Sequence, residues 1–460
     1  MKRSVHLVLV MLLLISASVS AIQVRPAKAV GTIRILSDGS VYPPGAPIST
    51  SDKITYTLTA DITDSIIIER NNIIFDGAAH TVMGDGSGYG LKLTGVSNVA
   101  VKNTNIQNFE SGIYIESATA AVIAMNNITL NSNDGIKLLY VSNTAITGNR
   151  ITWNGYDGVE MYSSSQNNIT GNSIVSNSYF GIEVYDSSNI GISVNRIADN
   201  YEGIGLSYTS SSSVIHNDFI NHTLQVYAVE TVAAWDNGYP SGGNYWSDYT
   251  GVDLKSGPNQ DQSGSDGIGD APYNCSGNNQ DRYPLMQTFA NIAVQRVVPS
   301  KTVVGQGYNL SIQVQVENQG WEAQTTDVTI YVNTEIISTF ANLAMPGRSQ
   351  LILSSTWQTG TYTKGNYTIS IVATPVPGEV DTTDDSYIWT VHLGVPGDVS
   401  STVPGVYDGK VDMKDIAYLV SLFNTKPSSL NWQPNADVNN DGVCNMKDIA
   451  TAIAYFNKHE

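Results

Sequence analysis

The fullest set of ligand-type side chains lies near the C-terminus. Asp437, Asn439, Asp441, Gly442, Val443, Asn445 and Asp448 fall at positions 1, 3, 5, 6, 7, 9 and 12 of a twelve-residue loop. Oxygen donors at alternate positions, a glycine at the bend and a main-chain carbonyl at position 7 are what a calcium ion requires. The segment Met413-Lys414-Asp415-Ile416-Ala417 recurs 33 residues later as Met446-Lys447-Asp448-Ile449-Ala450, so the module is duplicated. In the first copy Asp408, Gly409, Lys410, Asp412 and Asp415 fit positions 5 to 12. Asp398, however, stands ten residues before Asp408 where four are expected, which predicts a weaker first site.

A second constellation lies mid-chain. Glu160 and Glu183 are 23 residues apart, in a region that repeats with that period. Stacked on adjacent coils at strand spacing, they would come close to the roughly 5 Å carboxyl separation of retaining glycosidases. Tyr114, Tyr162 and Tyr185 fall on the same outward face and would serve as platforms for sugar rings. No further motif supplies a nucleophile or a group to orient a base, and no Lys or Arg groups with an acidic cluster in any single coil, so the face reads as binding rather than catalytic. Asp266 and Asp270, in a glycine-rich loop, suit either calcium or a plain Asx turn.

These side chains need a scaffold that holds one phase, and the repeat supplies it. Gly90, Gly112, Gly135, Gly158, Gly181 and Gly203 are spaced by 22, 23, 23, 23 and 22 residues, each opening an apolar-x-apolar triplet. Fourteen residues after the last five glycines come Asn126, Asn149, Asn172, Asn195 and Asn217. A constant period of this length means stacked coils. Alternation sends the first and third residues after each glycine inward, and all of them, from Leu91 and Leu93 to Ile204 and Leu206, are aliphatic. Further short strands run near Val99, Val122, Ile146, Ile169, Ile190 and Val214, and near Ile106, Ile128, Ile151, Ile174, Ile197 and Phe219, giving three per coil. The recurring asparagines predict a side-chain ladder along the stack. Residues 31–63 are expected to cap its N-terminal end.

After Met286 the period stops and longer alternating strands begin, with Leu310, Ile312, Val314 and Val316, then Val328, Ile330 and Val332, then Tyr367, Ile369 and Ile371; this predicts a β-sandwich. A chain of 460 residues with net charge −18 and only 23 Lys and Arg offers no basic stripe for nucleic acid. Lys2 and Arg3 precede an apolar run from Val5 to about Val19 and small residues ending at Ala21, a secretory layout, with a second cleavage candidate at Ala27-Lys28-Ala29. The run is shorter than a spanning helix needs, so no transmembrane segment is expected in the mature chain. The two cysteines, Cys275 and Cys444, fall in different domains and cannot be the main staple.

Three resemblances follow. The coils and the ending Gly243-Asn244-Tyr245-Trp246-Ser247-Asp248-Tyr249, with Asp281-Arg282-Tyr283-Pro284, resemble the NosD-type right-handed parallel β-helix family, also described as carbohydrate-binding and sugar-hydrolysing. The stretch from Val298 to Gly320, with Gly365-Asn366-Tyr367 and Val376-Pro377-Gly378-Glu379, resembles the adhesion-related CARDB domain. The duplicated loop-helix tail resembles a dockerin, in which an Asp closes each loop; the family implies calcium, a cohesin partner, and Met413, Lys414, Met446 and Lys447 as partner contacts. Copper, which the NosD name implies, is poorly matched by His6, His80, His216, His222, His392 and His459, which form no cluster in sequence.

The expected organisation is a signal peptide at 1–29, a β-helix with its cap and terminal segment at 30–289, a sandwich at 290–395 and a dockerin-like module at 396–460. The expected function is an exported cell-surface protein whose β-helix binds glycan or another surface component, whose sandwich is a spacer or adhesion domain, and whose tail docks to a cohesin-type domain. A dockerin-assembled glycoside hydrolase or polysaccharide lyase using Glu160 and Glu183 is the alternative, and copper delivery the second.

Overall fold

A computed structural model describes residues 31–460 apart from 381; the signal-peptide reading lies outside the described residues. The chain divides into two compact units. One comprises residues 31–235, 246–248 and 274–280, and the other 236–245, 249–273 and 281–460. Among the described residues no helix is long and apolar enough to cross a membrane.

The first unit is a parallel β-helix. Its strands form three sheets running the length of the solenoid, two of ten strands and one of eight. Each coil pairs in parallel with the next at the spacing of the sequence repeat, as in Ile113↔Ile136, Ile136↔Val159 and Val159↔Ile182. The inward residues, from Leu91 and Leu93 through to Leu206, are wholly buried. In the strand near Val122, Ile123 faces in, in register with Ile146, and Val122 is exposed. At the N-terminal end Ile33–Ile35 pairs antiparallel with Val41–Tyr42, and Ile48–Ser49 with Thr55–Leu58, so the cap closes the edges of the two ten-stranded sheets. At the far end Trp246 stacks on Phe219, with centroids 4.5 Å apart and planes 6° apart, and closes the column of Ile106, Ile128, Ile151, Ile174 and Ile197.

The repeating glycine is required by close approach. A Cβ on Gly158 would lie 2.5 Å from Ile174 Cγ2 and 2.6 Å from the Gly181 carbonyl oxygen, so only hydrogen fits at this corner. The asparagine ladder is continuous. Nδ2 of Asn126, Asn149, Asn172 and Asn195 each donates to Oδ1 of the next at 2.9–3.0 Å, and the same oxygen accepts the preceding residue's main-chain N–H. A second buried ladder, through Asn131, Asn154, Asn177 and Asn200, runs beside it with links of 2.9–3.0 Å. The sequence reading did not single this one out, although it keeps the same period.

In the second unit a three-stranded sheet (Ile292–Pro299, Leu310–Asn318, Gln350–Trp357) faces a five-stranded sheet. Their alternate residues, Leu310, Ile312, Val314, Val316, Val328, Ile330, Val332, Ile369 and Ile371, fill the sandwich core. The tail carries two helices, Met413–Ser421 and Met446–Ala454. Leu419, Leu422, Ile449 and Ala452 face its core, whereas Val420, Phe423, Ile453 and Phe456, which the matching offsets had grouped with Ile416 and Ile449, point to solvent. Each helix is only nine residues long, and a single narrow stripe is enough to meet its twin.

Asn172→Ala should cost about 2–4 kcal/mol of β-helix stability, because it leaves the main-chain N–H of Asn149 without an acceptor in a dry interior and removes the Nδ2 donor to the Ile146 carbonyl. Thermal unfolding followed by circular dichroism, with Ser193→Ala as the surface control, measures it.

Candidate functional site

On the β-helix, three outward columns run along the coil axis, set by distance from the repeating glycine. The residues before Gly135 and Gly158 are Asp134 and Asp157, both fully buried. The residues two after are Lys137, Glu160 and, next in the stack, Glu183, in register as Lys137↔Glu160↔Glu183. Those four after include Tyr162 and Tyr185, whose rings stack 5.3 Å apart and 5° from parallel. A further column, two before each glycine, holds Tyr156, Tyr179 and Tyr201, spaced 5.0 and 6.1 Å. The result is a floor of carboxylates between two rows of tyrosines.

Charge on the floor is unevenly satisfied. Lys137 Nζ bonds Glu160 Oε2 and lies 3.4 Å from Asp134 Oδ2, so Glu160 is held by a lysine from the preceding coil. The sequence reading considered single coils, and this grouping spans two. Burial works against the Lys137 charge, but Glu160 and Asp134 outweigh it and raise the lysine's pKa. One coil on, Asp157 Oδ1 accepts the Phe180 N–H at 2.9 Å, while Oδ2 is buried without a donor. Asp157 neighbours Glu183, and two like charges in a buried site disfavour full ionisation, so the pair favours retention of a proton. Burial, reinforced by Glu183 and Asp134, pushes Asp157 up to about 9, and burial with Glu160 nearby raises Glu183. Burial and Glu160 also bring Asp134 up to about 7.

Of the sequence-derived residues, Glu160, Glu183, Tyr162 and Tyr185 meet here. Tyr114 does not serve as an open platform, for it is 8% exposed, stacked 4.2 Å from Tyr89 and covered by Lys92. It shares the column of Lys92 and Lys137, two residues after its glycine, rather than that of Tyr162. Asp134, Asp157 and Tyr179 were missed. Their signal was available as the residues one and two before each glycine, columns that inward-outward alternation along the strand does not bring to attention.

In the tail the two loops have one geometry. Asp437 accepts the N–H groups of Asp441 and Gly442, and Asp398 accepts those of Asp408 and Gly409, so Asp398 stands where Asp437 does despite the longer spacing. The six extra residues loop out after Ser400. Asp448 gathers the N–H groups of Asn439 and Asn445, and Asp415 those of Val399, Ser400 and Asp412. Each closing Asp also completes a capping box, with Asn445 or Asp412, that starts the helix behind it. Gly442 and Gly409 take φ of +83° and +85°, the left-handed bend the loop needs.

The loops differ in convergence. Asp437, Asp441 and Asp448 bring carboxylate oxygens within 4.8 Å of one another, and among the described residues no other set of three His, Cys, Asp or Glu does so. This donor set, oxygen only and clustered, fits calcium. In the first loop Lys410 reaches Asp412 at 3.1 Å and Lys414 lies 3.7 Å from both Asp408 and Asp412. Met413 and Met446 are 63% and 60% exposed at the helix starts, beside the exposed Lys414 and Lys447. Lys301, a sandwich residue only 4% exposed, donates to the Asp437 carbonyl, and burial lowers its pKa to about 8. Asp266 and Asp270 are spent on turn N–H groups: Asp266 on those of Gly257 and Ile268, Asp270 on those of Leu254 and Lys255.

Residues 48–251 match the family model for periplasmic copper-binding protein (NosD), and residues 406–457 that for the dockerin type I domain. The architecture is a NosD-like β-helix with a dockerin-like tail. No curated protein matches the chain. Among solved structures, the CARDB domain of a Pyrococcus furiosus protein aligns at 19% identity over 23% of this chain and 96% of that one, with TM-score 0.21. A periplasmic alginate epimerase aligns at 23% identity over 36% of this chain and 39% of its own, with TM-score 0.31. The A-module of an Azotobacter vinelandii mannuronan C-5 epimerase aligns at 12% identity over 45% of this chain and 70% of its own, with TM-score 0.31.

The Asp157 environment sets a pH dependence. Its folded pKa lies above the ordinary 3.8, so the folded state holds a proton that the unfolded state has released, and stability falls as pH rises between about 4 and about 9. Asp157→Asn should therefore match the parent near pH 4 and exceed it by roughly 1–3 kcal/mol near pH 8. Thermal midpoints across that range check the sign.

Proposed function

We propose that this is an exported surface protein whose β-helix face binds a glycan, whose sandwich acts as spacer and adhesion domain, and whose calcium-loaded tail docks to a cohesin-type partner. The observation that carries the glycan reading is the pair of tyrosine rows flanking the carboxylate floor. Partly exposed tyrosines that recur at about one strand spacing offer apolar ring surface and hydroxyls to successive sugars, and the carboxylates accept hydroxyl hydrogen bonds. A glycan-array screen of the full chain, with Tyr162→Ala and Tyr185→Ala as controls, tests it; binding that ignores both substitutions rejects this face.

In the tail, Asp437, Asn439, Asp441, Asn445 and Asp448 with the Val443 carbonyl would hold calcium in the second loop. Asp398, Asp408, Asp412 and Asp415 with the Lys410 carbonyl would hold it in the first. The ion would supply the positive charge that lets these carboxylates converge, and the helices behind them would present Met413, Lys414, Met446 and Lys447 to the partner. The exposed Val420, Phe423, Ile453 and Phe456 add apolar surface of the kind an interface buries.

An extracellular hydrolase or lyase is the second reading, favoured by the proton retained beside Glu183, since a general acid must be protonated at its working pH. Engagement of Glu160 by Lys137 weighs against a nucleophile there. For copper delivery the described histidines offer little: His80 pairs with Asp61, His222 sits between two carbonyls, and His392 bonds Asn366 and Glu460. Release of reducing or unsaturated sugar ends by the purified protein, abolished by Glu183→Gln, would transfer the assignment to the enzyme.

Calcium should protect the tail of the full chain from limited proteolysis, and a chelator should expose it. Asp448→Ala is expected to weaken calcium binding, measured by calorimetry, roughly tenfold or more, and Asp398→Ala less, because only the second loop brings three carboxylates together and the first has two lysines on its acids where the second has one.

A further inference from the structure

The repeat allows one coil of the acidic floor to be compared with the next. In the first, Asp134 and Glu160 are bridged by the Lys137 ammonium. In the second, Asp157 replaces Asp134 and Glu183 replaces Glu160, but the residue in register with Lys137 is Glu160 itself. The same two carboxylates recur without their cation. Asp157 is fully buried, its Oδ2 has no hydrogen-bond donor, and Glu183 is the neighbouring carboxylate that acts on it. Glu183 is the accessible member, and the partly exposed rings of Tyr156 and Tyr179 stand beside the pair.

We propose that the site over Asp157 and Glu183, walled by Tyr156 and Tyr179, binds the protonated amine of an amino-sugar glycan. The inference rests on the glycan reading and names its class. The preceding coil shows that this arrangement accommodates a primary ammonium. A chelated metal fits less well, because the floor carboxylates do not converge as those of the second calcium loop do. The tyrosine rows favour a saccharide over a lysine side chain, since they place partly exposed aromatic surface at repeated intervals on both sides of the amine site. The ammonium meets Glu183 and takes over the role of the proton shared with Asp157, and that proton leaves to solvent. The groups facing the pair are Asp134, Lys137, Glu160, Tyr156, Tyr179 and, from the next coil, Glu202.

The test is calorimetry on the full chain, with calcium present throughout, at about pH 6, where an amine is protonated. A β-1,4-linked glucosamine oligomer is compared with its fully N-acetylated counterpart of equal length. The free-amine oligomer should bind about tenfold tighter and release protons, seen as a binding enthalpy that depends on buffer ionisation. Asp157→Asn and Glu183→Gln should each reduce the preference below about twofold without lowering the thermal midpoint. Equal binding of the two oligomers overturns the amine assignment while leaving the glycan reading intact. A preference that survives both substitutions places the amine elsewhere and also overturns it. Binding of neither oligomer, or binding of a lysine-rich peptide instead, overturns the proposal, and the glycan array then decides the broader reading on its own.

Discussion

The hydrogen bond from one asparagine amide to the next is the constraint on which the β-helix depends. A solenoid corner turns main-chain groups inward, where water cannot reach them, and each needs a partner supplied by the coil above or below. Asn149 illustrates the arrangement: its Oδ1 accepts from Asn126, and its Nδ2 donates to the Ile123 carbonyl and to Asn172. The ladder can exist only if every coil has the same length between corner and strand. That requirement fixes the 22- or 23-residue period, and the period in turn fixes which side chains share an outward column.

Because column membership is set by register, chemistry on the face is a matter of which residue types coincide in neighbouring coils. Asp134, Lys137 and Glu160 neutralise one another across two coils, whereas Asp157 and Glu183 form a pair that retains a proton. The difference arises from a single column entry, lysine at 137 and glutamate at 160. The tail uses the opposite strategy, with one twelve-residue loop gathering its donors locally, and the buried Lys301 of the sandwich is fixed against that loop's main chain.

The solenoid was legible because its signals are periodic and strict: glycine spacing, aliphatic pairs and the asparagine ladder all keep one phase. Where two adjacent β-branched residues stand in one strand, as at Val122 and Ile123, alternation alone does not choose which of them faces in. Glu160 and Glu183 were legible as neighbours, yet Asp157 was not, since a residue next to the corner glycine looks like a turn residue until its burial is known. Tyr114 was read as exposed for a related reason: nothing local reveals that Tyr89 and Lys92 of the preceding coil cover it. In the tail, the ligand positions were readable from spacing, and Asp398 kept its place because the extra residues loop out after it. The outward faces of Val420 and Ile453 were not readable, since a nine-residue helix carries too few turns to distinguish its buried stripe from a partner-facing one.

Parallel stacking at a fixed period also makes the outer face modular along the axis. Inserting or deleting one whole coil preserves both ladders and the interior, yet shifts everything beyond it by one strand spacing of about 4.8 Å. Distances between binding features in one column can therefore change over evolutionary time only in steps of that size, so a face of this kind is tuned by copy number as well as by substitution.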